Sequence, residues 1–262
     1  MIFLTFIFFS CRHRPKEDVS LHHNNDIVLR YSISKAEESA LLNDIDLQIN
    51  AQGLWLRGLR TYNVDDFIQA RASAFSCLQE KTGFSMDLID KNRSKNIRFP
   101  NEKTKTCRRG YASEVIPLNI SSRNIACSIW AVLSWSKLNQ WYQLPEMMLG
   151  FDTMFFLTAW LLEQEKCVDS PWVQFAILSG LLNIPNTLPM DASWNSRSME
   201  AEKRLKAIEN DPNIGLYVRV WYIKHRLLKG DCTDQEKSEW IIELQREQQI
   251  HPEINDLLKM LR

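Results

Sequence analysis

Residues Pro145 to Pro185 read PEMMLGFDTMFFLTAWLLEQEKCVDSPWVQFAILSGLLNIP, two apolar segments joined by a short charged turn. Twelve of the sixteen residues in Met147–Leu162 are apolar, as are nine of the thirteen in Trp172–Ile184. Neither segment keeps a wide polar face, and helices of that kind belong inside a protein or a membrane. A spanning helix needs ~20 apolar residues, and Asp152 interrupts the longer segment. The stretch is therefore expected to form the central apolar hairpin, 145–185, of an all-α fold. Two architectures suit it: an irregular helical bundle, or a helical-hairpin array resembling an α-solenoid.

Composition points the same way. A chain of 262 residues with 8 Gly against 9 Trp and 12 Phe favours helix over tight β-turn architecture. Lys+Arg and Asp+Glu balance at 32 each, so the basic excess that marks nucleic-acid binding is absent and no nucleic-acid partner is expected. Any electrostatic message is local.

One such message lies between Lys91 and Arg109. Lys91, Arg93, Lys95, Arg98, Lys103, Lys105, Arg108 and Arg109 stand against Glu102 alone, a net +7. With Pro100, Asn101 and no apolar period, 91–120 reads as an exposed basic loop. It is a candidate binding surface for an anionic face, whether headgroups or an acidic partner, and equally a solvated linker. In the opposite sense, Asp234, Glu236, Glu239, Glu243, Glu247, Glu253 and Asp256 make the last part of the chain acidic. The two regions either pair within the molecule or face different partners.

At the start, MIFLTFIFFSC is an apolar run closed by Ser10 and Cys11, followed by the polar RHRPKEDVSLHHNND. This resembles a bacterial lipoprotein signal, in which a small residue precedes a cysteine that is lipidated. It departs from that pattern in having no basic residue before the run and Phe8 where Leu is usual. The resemblance implies lipidation of Cys11, attachment to a membrane through the lipid, and a place on the periplasmic side of a cell envelope. The alternative is a cytoplasmic protein whose first residues are an ordinary helix. Beyond Cys11 five cysteines remain, an odd number that leaves one or two bridges open. Most of them read as buried apolar thiols.

In chain order, 1–11 is the signal and anchor, 12–33 a flexible tether, 34–90 an N-terminal helical hairpin, 91–120 the basic loop and 121–262 the main helical domain. Ser34 with Glu37 forms a capping box, as does Thr233 with Glu236. Asn63 caps a second helix whose first turn holds Asp65 and Asp66. Pro145, Pro171, Pro212 and Pro252 mark four helix starts, where a missing amide costs nothing. Tyr217–Ile223 is rich enough in β-branched and aromatic residues for a strand, but its proline and the following Gly230 favour helix.

Patterns that carry chemistry are sparse. No two glycines are separated by one residue, which removes GxGxxG, and no GxSxG occurs. His22, His23 and Asp26 sit on a tether that does not preorganise them, so neither a metal nor a cofactor is assigned. His225, beside Lys224 and Arg226, reads as a cation complementing a helix end. Asp152 is the one weak catalytic candidate, because a carboxylate inside an apolar helix must be hydrogen-bonded, paired or protonated. An aromatic pocket around it with Trp130, Trp135 or Trp160, and Arg57 or Arg60 as anion contacts, would make an enzyme. The leading expectation is a lipid-anchored helical envelope protein that binds another protein in an immunity, inhibitor or assembly role. An aromatic-pocket enzyme and a cytosolic helical interaction protein are the alternatives.

Overall fold

Successive helices, joined by turns of a few residues where the connections are described, build this computed structural model. It describes residues 47–82, 84, 112, 122–141, 151–165, 168, 170–184, 192–247 and 252–261. Among them are nine α-helices and no strand. They are α1 (Leu47–Thr61), α2 (Val64–Thr82), α3 (Ser122–Asn139), α4 (Phe151–Gln164), α5 (Pro171–Asn183), α6 (Arg197–Ile208), α7 (Gly215–Lys229), α8 (Asp234–Arg246) and α9 (Pro252–Leu261). A 3-10 turn, Ala192–Ser196, leads into α6. Cys11, the 12–33 tether, the Ser34 capping box, the eight basic residues of 91–109 and Pro145 all lie outside the described residues.

α3 is the axis, packed against α1, α2, α4 and α5 together. A solenoid lets each unit touch its neighbours alone, so of the two expected architectures this is the bundle. Small residues permit the close approach: Ser128, Ser134 and Ser136 on α3 are fully buried, and Asn183 of α5 donates to the Ser136 hydroxyl at 2.7 Å. The central hairpin is as buried as its composition demands. In α4 every residue from Thr153 to Gln164 is buried, and in α5 nine of thirteen are. Where α4 and α5 cross, a Cβ on Gly180 would lie 2.1 Å from the Thr158 hydroxyl, so the contact is backbone against side chain.

Local signals set the ends. Thr233 and Glu236 complete their capping box in both directions. Gly230 closes α7 at φ 68°, its amide donating to Leu227 and that of Asp231 to Arg226, the paired bonds of a left-handed helix stop. Pro171 and Pro252 begin α5 and α9. Pro212 does not begin α7: Asp211 Oδ1 accepts from the Asn213 and Ile214 amides at 2.8 and 3.1 Å, holding a turn, and the helix starts at Gly215. Tyr217–Ile223 is helical.

Two apolar clusters result. The larger spans α1 to α7; the smaller joins Val220 and Ile223 of α7, Leu244 of α8, and Ile254, Leu257, Leu258 and Leu261 of α9. A disulfide links Cys77 of α2 to Cys127 of α3, with Cα atoms 6.1 Å apart, one of the bridges the sequence leaves open. Cys232 is free and half-buried.

Candidate functional site

The α1–α2 hairpin turns at Tyr62, a non-glycine residue held at φ 54°. That left-handed backbone is sterically costly for a bulky side chain and persists where the surroundings over-determine it. Here they do. Asn63 Oδ1 accepts from the Asp65 amide at 3.1 Å, and Asp66 Oδ1 takes the Arg57 guanidinium at 2.6 and 3.0 Å across the turn. The Tyr62 hydroxyl donates to Asp256 Oδ2 at 2.8 Å and accepts from Lys224 Nζ at 2.5 Å.

Around that hydroxyl four distant elements converge. Glu253 of α9 accepts Lys224 of α7 on one oxygen, at 2.7 Å, and Lys137 of α3 on the other, at 2.5 Å. The three side chains are no more than 5% exposed. Lys224 also stands 4.7 Å above the Tyr62 ring and 5.3 Å from that of Trp141. Burial pulls the Lys137 ammonium down to about 8, against the attraction of Glu253 and with the repulsion of Lys224. Burial, with the charges of Glu253 and Asp256, pushes the Tyr62 phenol up, so it stays a neutral donor. The network ties α3, α7, α9 and the first hairpin to one another, with Lys137, Lys224 and Glu253 buried and Tyr62 and Asp256 half-buried.

Sequence reasoning noted Glu253, Asp256 and Lys224 but not their convergence, and passed over Lys137 and Tyr62, yet a signal was there. Lys137, Lys224 and Glu253 each lie four residues from a buried apolar neighbour on the same helix face: Leu133, Val220 and Leu257. A charge on an apolar stripe needs a buried partner. The acidic region is also answered from α7, by partly exposed pairs: Arg219 meets Glu243 at 2.7 Å and Arg226 meets Glu236 at 3.1 Å. His225 departs from its expected role as a cation. It is buried and stacked 5.1 Å from Trp221, and burial, then Lys229 and Arg226, lower its pKa to about 3, which keeps it neutral.

Among the described residues an open cleft of about 440 Å³ lies where α1, α3 and the start of α5 meet. Trp130 and Trp172 form one wall, their rings 5.2 Å apart, with the buried Trp55 behind them at 5.6 and 5.9 Å. Ile125, Ile129, Val168 and Val173 add apolar surface, and Gln48, Gln52 and Ser170 supply uncharged polar groups. Gln48 and Gln52 are one turn apart, so both face the opening. Its size and lining suit a ligand group that is apolar with a few hydrogen-bonding atoms.

Asp152 lies elsewhere. It is half-buried in the first turn of α4, where a carboxylate complements the positive helix end, and it lines neither this cleft nor a smaller one of about 330 Å³ between α1 and α2. Trp130, Trp135 and Trp160 are all buried, and of these Trp130 reaches the cleft. Arg57, expected as an anion contact, borders the smaller cleft but is engaged by Asp66. Among the described residues no group of three His, Cys, Asp or Glu side chains is placed to hold a metal ion, and no helix is long and apolar enough to cross a membrane. Compared with models of known families, with curated proteins and with solved structures, the chain matches none.

Proposed function

We propose that this is an exported, lipid-anchored helical protein of the cell envelope that acts by binding another protein, whose apolar side chain enters the Trp130–Trp172 cleft. The cleft is the observation that carries the binding reading. It offers the half-buried Trp172 ring, backed by the buried Trp130, beside uncharged hydrogen-bonding groups, the make-up of a pocket that receives an anchor residue. The charged residues that the fold gathers most tightly, by contrast, neutralise one another beneath the surface. Export draws support from the apolar run ending at Cys11 and from the Cys77–Cys127 bridge, since such bonds persist in oxidising compartments.

The test is affinity capture from the source envelope with the mature protein and with Trp172→Ala. Trp172 is half-buried at the rim, so the variant should keep its far-ultraviolet circular dichroism while losing capture of the partner by about tenfold or more. Equal capture by both proteins sinks the cleft as the contact. Cys11→Ser separates the anchor from the binding: the protein should leave the membrane fraction and still bind.

A further inference from the structure

We propose that the groove beneath α9 is a helix-accepting site, occupied here by α9 itself, in which an acidic amphipathic helix of a partner protein takes its place. This is independent of the Trp130–Trp172 cleft. The apolar residues of α9, Ile254, Leu257, Leu258 and Leu261, recur at i, i+3, i+4 and i+7 and are all buried. That spacing is how one helix is read by the groove of another protein. The floor comes from different elements: Val220 and Ile223 of α7 and Leu244 of α8 meet the apolar stripe, while Lys137 of α3, Lys224 of α7 and Tyr62 of the first hairpin meet the acids.

Charge complementarity identifies the occupant. Two ammonium groups and a phenol face Glu253 and Asp256, three residues apart on α9. A helix lacking those carboxylates would bury two cations without counter-ions, which excludes it strongly. The pattern required is acid, apolar, any, acid, apolar, apolar, any, any, apolar, as Glu253 to Leu261 display it.

The groove can empty because its apolar cluster is small and separate. α9 supplies four of its seven buried residues, and the larger core is built without α9. Ten residues are too few for a stable helix in water, so α9 is ordered by the groove and opens as a local unit. Lys224 lies against the packed Tyr62 and Trp141 rings, neither of which belongs to α9, which keeps the acid-reading side preformed.

The intact chain and a fluorescein-labelled peptide of the Pro252–Leu261 sequence test this. Amide hydrogen exchange of α9 should run about a hundredfold faster than that of α4 and α5. The peptide should bind saturably, raise α9 exchange further, and bind at least about tenfold more weakly with Glu253→Gln. Exchange of α9 at the rate of α4 and α5, no peptide binding, or equal binding by the Glu253→Gln peptide overturns the proposal. So does a concentration-dependent dimer that the peptide dissociates, since the occupant would then be α9 of a second copy.

Discussion

At Lys137 and Lys224 two ammonium groups share one carboxylate, and the cost of their burial is met by placing Asp256 and the Tyr62 hydroxyl next to the same cluster. Such a network contributes less to stability than to fixing which helix sits where, because each charge has been stripped of water. His225 illustrates the other solution, neutrality. Its pKa falls from 6.5 to about 3 in the folded state, so between those values the unfolded chain binds the extra proton. Stability is then full above pH 6.5 and declines as pH falls toward 3, by up to about 5 kcal/mol from this residue. His225→Phe keeps the stack on Trp221 and removes the proton. Urea titrations at pH 7 and pH 4 should show the variant losing markedly less stability than the wild type between the two. The sequence placed His225 near a helix end but could not show that Trp221 and the core would close over it.

Helices were the most legible level. Uniform apolarity of the central hairpin predicted burial, and the Thr233 box, Gly230, Pro171 and Pro252 marked ends correctly, since each acts through its own backbone. Pro212 misled because proline fixes its own torsion and leaves the next residues free; Asp211 drew their amides into a capped turn. What no helical period reveals is where two helices touch most closely. Gly180 against Thr158 is one such close approach between α4 and α5. A methyl at Gly180 displaces a fully buried, β-branched side chain whose hydroxyl donates to Met154 at 2.7 Å. Gly180→Ala should therefore lose about 1–3 kcal/mol despite its better helix propensity. A denaturant titration checks the loss, and adding Thr158→Ala should restore part of it.

For the molecule as a whole, the bundle brings together residues that are far apart in the chain, and for that reason its cleft was hidden. Gln48, Trp130 and Trp172 belong to three helices, and the sequence grouped Trp130 with Asp152, which does not line the cleft. Asp152 drew notice as a carboxylate within an apolar segment; it is half-buried in the first described turn of α4, away from the cleft. The Cys77–Cys127 link, 50 residues apart, was likewise one of several pairings open. It closes a loop that should restrict the unfolded chain, and Cys77→Ala with Cys127→Ala should cost about 4 kcal/mol, read from thermal or urea unfolding against the oxidised parent. The bond also gives the chain a topology in which residues 77 to 127 form a covalent ring enclosing all eight basic positions from Lys91 to Arg109. A protease that cuts once within that ring leaves a molecule still held in one piece, divisible into two fragments when the bond is reduced.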